Sequence, residues 1–226
     1  MSESTKNLVP RFFDKTALTY DKIVNQTTFA KDKYWKKEIL KKIPQCKSIL
    51  DLACGTGILT KKISENLPDA KIVGVDITES YLDIAKKRFA SKENVSFVKQ
   101  DAEKLDLEEK FDCITSSYIP KYCNPEILVD VCMKHLKSGG KIILHDFTYP
   151  ENKGVRILWN LYFVVLNIMG YFIPNWKDVF VELPKLIKST RWLGEFEKVM
   201  KNHGLKVELQ QMTWGCSAIL TGSNIV

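Results

Sequence analysis

The chain has 226 residues, 45% of them hydrophobic and 27% charged; this suits one domain carrying an insertion and excludes a disordered or low-complexity protein. Its net charge of +7 admits a nucleic acid, an anionic membrane surface or plain solubility and selects none of them. The six cysteines are scattered with no C-x-x-C pair, so a reduced cytoplasmic setting is expected, with no disulfide framework and no zinc site. The start, Met1-Ser-Glu-Ser-Thr-Lys6, is polar and has no signal-peptide core.

Residues 8–43 read as helical and lysine-rich, with a one-sided apolar stripe at Tyr34, Trp35, Ile39, Leu40 and Ile43. A short apolar run then ends in an acid and a small-residue turn, Ser48-Ile-Leu-Asp-Leu-Ala-Cys-Gly-Thr-Gly57, and Ile58-Leu-Thr-Lys-Lys-Ile63 starts a helix. Glycines at such a turn let backbone amides approach a ligand that a Cβ would push away. A second apolar strand, Lys71-Ile-Val-Gly-Val-Asp76, ends in an acid about twenty residues on, where folds of this kind hold a ribose diol. The pattern lacks the third glycine of the dinucleotide fingerprint, and no Lys-Ser/Thr follows it, so a P-loop is excluded.

Strands are expected at 48–53, 71–76, 95–100, 111–117 and 141–147, with helices starting near Gly57, Thr78 and Asn124. Asn124-Pro125 combines a side-chain cap with proline at the first helical position, and Ser138-Gly139-Gly140 ends that helix. This alternation implies a parallel sheet with helices on both faces. The tail reads as a helix over 190–203 stopped by Gly204, then two antiparallel strands at 205–210 and 214–221. Between strand five and this tail lies an insertion, 151–189, whose first half, 155–173, is apolar nearly all round. It approaches a membrane span in length, but a span there would cut the sheet from its last strands. It is read as a core helix or as a greasy lid over a substrate that also touches a membrane surface.

The run Asp51-x-x-x-Gly55-x-Gly57, followed by Val75-Asp76, resembles the cofactor loop of class I S-adenosylmethionine (SAM) methyltransferases. The resemblance implies an α/β, Rossmann-like sheet of seven strands in the order 3-2-1-4-5-7-6. Residues 1–226 then form one domain, with an N-terminal helical cap over 1–47 and the insertion before strand six. Ligands of such sheets sit at the carboxyl ends of the strands. There the amides of Ala53, Gly55 and Gly57 suit the methionine carboxylate and Asp51 the ammonium. Asp76, followed by Ile77, suits the ribose hydroxyls, while Asp101 suits the adenine amine and the Ala102 amide a ring nitrogen.

Further motifs narrow the resemblance. Phe12-Phe-Asp-Lys-Thr-Ala-Leu-Thr-Tyr-Asp21, Asp32-Lys-Tyr-Trp-Lys-Lys37, Phe147-Thr-Tyr-Pro150 and Thr213-Trp-Gly-Cys-Ser-Ala-Ile-Leu-Thr-Gly222 are similar to the ubiquinone/menaquinone C-methyltransferase family over nearly the whole chain. Positions carried over for the cofactor are Thr60, Asp76, Asp101, Ala102 and Ser117. The family's F-G-x-R-N after strand four is replaced by Tyr118-Ile-Pro-Lys-Tyr122, with Lys121 for the arginine and Tyr122 for the asparagine. Lysine does not reproduce the arginine fork, so the acceptor is open to change.

The family's reaction is methylation of a ring carbon beside a phenolic hydroxyl, with S-adenosyl-L-homocysteine (SAH) as the second product and no metal. It needs alignment, exclusion of water and removal or sharing of the hydroxyl proton. Candidates are Tyr20, Asp21, Lys121, His145 and Asp146. Lys121 is assigned to stabilise the phenolate and Asp146 to accept or orient the proton, with Tyr20 as a third candidate; strand alternation turns His145 to the other face as a packing residue. The expected partners are a prenylated quinol such as demethylmenaquinol, the inner face of the membrane as a peripheral surface, and a second copy of the chain as a homodimer; a nucleic acid is not expected. Two alternatives stay open: O-, N- or S-methylation of another small molecule, and a SAM-binding partner protein without catalysis.

Overall fold

Five short apolar runs and two tail strands set the framework. In the computed structural model, which describes residues 8–13 and 15–224, these seven form one sheet in the order β3-β2-β1-β4-β5-β7-β6. The strands are β1 (Ser48–Leu52), β2 (Lys71–Asp76), β3 (Val95–Lys99), β4 (Phe111–Ser117), β5 (Leu136–Phe147), β6 (Lys206–Met212) and β7 (Ser217–Ser223). The first five run parallel, and β7 lies antiparallel between β5 and β6.

Helices cover both faces: α1 (Leu8–Phe13), α2 (Tyr20–Thr27), α3 (Lys31–Lys42), α4 (Ile58–Asn66), α5 (Glu79–Arg88), α6 (Pro125–His135), α7 (Lys153–Phe172), α8 (Lys177–Ser189) and α9 (Trp192–Asn202). Alternation along β1 sends Leu50 and Leu52 into one core layer with Leu128, Phe196 and Met200, and Ile49 into the other with Trp35, Ile39 and Ile63. Each such side chain, fully buried, contributes about 1.5–3 kcal/mol.

Three expectations need correction. The N-terminal segment is not one helical run. Phe29 and Ala30 adopt left-handed backbone (φ 49 and 60°), which ends α2 and re-aims α3 onto the face of the sheet, where Trp35 and Ile39 pack with Ile49 and Ile143. The helix expected to reach Ser138 stops at His135. Leu136 is buried opposite Phe111 while Lys141 faces Cys113, so the residues between loop out and Gly139 (φ +72°) makes the turn. The last strand starts at Ser217 because Thr213 and Trp214 (φ 48 and 56°) form a turn, with Thr213 held by the Trp35 indole N–H at 2.8 Å.

The insertion is a helical hairpin of α7 and α8. Gly170 lets the two approach, since a Cβ there would sit 3.1 Å from the Lys177 Cα. α7 is long and apolar enough to cross a membrane by length and composition, yet the chain on either side of the insertion belongs to one sheet, through β5 and β7. Nor is it a core helix. Trp159, Phe163 and Leu166 face inward, while Ile157, Leu161, Val164, Ile168 and Phe172 are exposed, Phe172 by 82%.

Candidate active site

The carboxyl ends of β1 to β4 line a cavity that includes Ala53, Gly55, Asp76, Ile77, Asp101, Ala102 and Ser117. Asp76 is buried at the end of β2, and its carboxylate accepts the N–H groups of Gly55 and Thr78, both at 2.8 Å. Burial holds its acid above the ordinary range. Asp101 caps the 3-10 turn Ala102–Lys104 through the Glu103 N–H at 3.0 Å and still lines the cavity, so its capping and its place at the site are one arrangement. Ser117 lines the cavity while its Oγ lies 2.9 Å from His145 Nδ1.

Gly57 and Thr60 are not in that wall. Gly57 (φ +80°) turns the chain into α4. Thr60 is fully buried and donates to Asp51 at 2.7 Å, so it acts through that acid. Asp51 borders a small adjoining pocket with Lys36, Gly55, Ser117 and Tyr118, and burial pushes its acid up to about 7. Part of the expected amide cradle at 53–57 is in use within the fold. The Cys54 N–H donates to Val75 O at 3.0 Å, the Gly55 N–H to Asp76, and the Gly57 N–H to Cys54 O at 3.0 Å, so three loop amides are already committed within the fold.

A second cavity, of about 360 Å³, lies between α2, α7, α8 and the sheet. Its wall is aromatic and apolar: Trp35, Phe147, Trp159, Phe163, Trp176 and Phe180 among others. Phe13, Tyr20, Tyr118 and Tyr122 border both cavities and form the partition between them. On its floor Lys121 forms a buried ion pair with Asp146, which lies behind it, Nζ to Oδ1 2.8 Å, with the Lys121 N–H on Oδ2 at 3.0 Å. Nζ also donates to Tyr118 O at 2.6 Å and lies 4.4 Å from the Tyr122 ring centroid, a cation–π contact that offsets lost hydration. Burial lowers the lysine's pKa and raises the acid's, so each charge depends on the other.

The other candidates separate. Tyr20 stands in the partition, 5.1 Å from the Tyr81 ring, and burial raises its phenol well above the ordinary value, so it can donate a hydrogen bond but does not serve as a base. Asp21 lines neither cavity; it pairs with Arg88 and accepts from Thr56 Oγ1 at 2.6 Å. His145 is wholly buried between Ser117 and Ser217, and burial keeps it neutral. Asp14, in the Phe-Asp motif, lies outside the described residues.

Sequence reasoning missed Asp32, Lys36 and Tyr118 as members of the site. Tyr118, at φ +76°, donates its hydroxyl to Asp32 at 2.6 Å and stacks on Phe147 at 4.8 Å. Asp32 pairs with Lys36 one turn on, both nearly buried. The signal was present: these two charges share the helix face of Trp35 and Ile39, where a solvated pair does not belong.

The cavity's donor set, with buried acids at the ends of β1 and β2 and a glycine turn between them, fits a nucleoside joined to an amino acid. A profile described as the ubiE/COQ5 methyltransferase family matches residues 1–224. The chain belongs to this family. It is 27% identical, over 98% of its length and 95% of the relative's, to a demethylmenaquinone methyltransferase of Staphylococcus aureus strain JH9. In fold it is similar to the putative methyltransferase complexed with the Haloferax volcanii Trm112 methyltransferase activator (TM-score 0.66, 16% identity, 95% of this chain and 98% of that one). It is also similar to phosphoethanolamine N-methyltransferase 2 of Haemonchus contortus with SAM (TM-score 0.64, 15% identity, 85% of this chain, 53% of that one). This ubiE/COQ5 member is a SAM-dependent methyltransferase. Asp76, Asp101, the Ala102 amide and Asp51 are the groups that would hold SAM, which supplies a methyl activated on a sulfonium.

Proposed function

We propose that this chain methylates a ring carbon of a prenylated quinol, of the demethylmenaquinol kind. The observation that carries the reading is the Lys121–Asp146 pair on the floor of an aromatic chamber, separated from the cofactor cavity only by a wall of rings. The name of the Staphylococcus aureus relative supports the same acceptor class.

A quinol ring lying among Tyr118, Tyr122 and Phe147 brings a hydroxyl to Lys121. Two of the three ammonium N–H groups take Tyr118 O and Asp146, and the third can take the substrate oxygen. Asp146, with its acid raised by burial, takes a proton from Lys121 as Lys121 takes the hydroxyl proton, and Lys121 holds the resulting phenolate. The electron pair of the adjacent carbon takes the methyl, and the S–C electrons stay on sulfur. Once the product meets solvent, its ring C–H proton leaves to water and Asp146 returns its proton to the oxygen through Lys121, so one methyl is gained and one proton released. The apolar chamber excludes water from the phenolate, and its walls fix the ring's approach.

The chamber opens where Phe29, Leu158 and Trp214, all largely exposed, meet the outer face of α7. This suits a prenyl tail running out along α7, and peripheral attachment to the inner face of an anionic membrane. Incubation with SAM and a panel of demethylated quinols tests the reading, with the new methyl located by NMR. A ring-carbon product with tailed acceptors preferred is expected; a methyl found only on oxygen, or turnover only of amines or thiols, would overturn it.

A further inference from the structure

The small pocket beside the glycine turn carries one buried cation and one buried anion. Asp51 is 1% exposed and Lys36 is 4% exposed, and both line it with Gly55, Ser117 and Tyr118. Lys36 comes from α3, outside the strand-end motif that defines the cofactor cavity. A pocket with opposite charges on its walls complements a zwitterion, and the amino-acid end of SAM is a zwitterion: an α-ammonium and an α-carboxylate on one carbon.

Three of the loop amides are already in use. The Cys54, Gly55 and Gly57 N–H groups donate to Val75 O, Asp76 and Cys54 O. An α-carboxylate at this turn therefore finds few loop donors, and a cation in the wall would complete its set. Lys36 is the cation in the wall, and Asp32 takes only one of its three N–H groups. Asp32 has a second donor in the Tyr118 hydroxyl at 2.6 Å, so it keeps a partner while Lys36 shares its charge. A purely structural role explains the position poorly, because a well-packed apolar pair of similar volume is usually at least as stable as a buried ion pair.

We infer that Lys36 is the carboxylate-binding residue of the cofactor site, seating the amino-acid end of SAM against Asp51. This deepens the family's cofactor assignment and is independent of the acceptor. It also makes α3 part of the cofactor site, tied through Asp32 and Tyr118 to the floor of the acceptor chamber.

The test compares three ligands by calorimetry: SAH, decarboxylated SAM, and 5′-methylthioadenosine, which lacks the amino-acid part. Lys36→Met is made together with Asp32→Asn so that no buried acid is left unpaired, and Lys36→Arg is made alone. In the double variant SAH should lose about ten- to a hundred-fold in affinity, while 5′-methylthioadenosine and decarboxylated SAM change less than about two-fold. Lys36→Arg should keep the preference for the carboxylated ligand. Equal losses for SAH and 5′-methylthioadenosine would mean that Lys36 only supports the fold, and unchanged SAH affinity would remove it from the site; either overturns the inference. If the double variant melts below the assay temperature, Lys36→Gln takes its place under the same criteria. SAH failing to bind the unaltered protein would instead strike the cofactor assignment itself.

Discussion

The two cavities are built by different means. The cofactor cavity is made of strand ends, where the hydrogen-bond ladder of β1, β2 and β4 fixes each acid to a fraction of a residue. The acceptor chamber is made of helix faces from both ends of the chain, meeting as a shell of rings around one ion pair. The first recognises by placed polar groups and the second by shape and apolar area. Polar placement tolerates few changes, whereas an apolar shell can be resized residue by residue.

That contrast can be broken most sharply at Lys121. Lys121→Met should lower turnover about 10²–10³-fold while SAM affinity moves less than about three-fold, and Lys121→Arg should retain activity on a quinol. Because a lone buried carboxylate is costly, melting temperatures must accompany the kinetics. Normal turnover with a folded Met variant would remove the lysine from the chemistry.

On the cofactor side, Asp76→Ala should weaken SAM binding by up to about a hundred-fold. It deletes an acid that also orders the Gly55 and Thr78 amides, so the turn loosens with it. Calorimetry that finds equal affinity in a folded variant would break the assignment.

Asp51 sharpens the comparison through pH. Its folded-state pKa of about 7 lies above the unfolded value near 3.9, so the folded chain holds the extra proton between those limits. The associated stability is present at low pH and is lost as pH rises toward 7. Asp51→Asn removes this dependence, so in the cofactor-free protein the variant should gain on the parent by on the order of 4 kcal/mol between pH 4 and pH 8. Parallel melts across this window check it, and a constant difference between the two proteins would contradict the buried, proton-holding acid.

The smallest effect is expected at the outer face of α7. Leu161, Val165 and Phe172 are exposed by 59, 49 and 82%, so replacing all three by serine should leave the melting temperature nearly unchanged. The same variant should lose salt-sensitive binding to anionic vesicles and several-fold of the preference for tailed acceptors. Unchanged vesicle binding and tail preference would leave the exposed face without a role in either.

The sequence revealed these regions unequally for the same reason they differ. β2 and β4 were legible to the residue, because a short run rich in buried residues, bounded by polar ones, is a local signal. Lys121 and Asp146 were legible one by one, from a departure in a family motif and from a strand end; their pairing at 2.8 Å comes from the structure alone. The partition was not: Phe13, Tyr20, Tyr81 and Tyr122 meet only after folding, and an aromatic residue carries no mark of which cavity it borders. The bonds that the Cys54 and Gly55 amides make were not legible, because they depend on Val75 and Asp76, one strand away. α7 was ambiguous because composition fixes how apolar a helix is, while only packing fixes which of its faces is covered.

One hydrogen bond described by the fold has a wider bearing. The indole N–H of Trp192, at the start of α9, donates to the carbonyl of Phe147, the last residue of β5, at 2.8 Å. The intervening helical hairpin is thus a loop whose two feet are clamped together on the sheet. Loop-closure entropy grows only with the logarithm of length, each doubling costing about 0.6 kcal/mol. Such a loop can be lengthened, shortened or exchanged for a relative's at small cost to the ladder beneath it. The share of the apolar chamber that α7 and α8 supply is then separable, and chimeras joined at Phe147 and Trp192 would exchange it while Lys121, Asp146 and the aromatic partition stay in place.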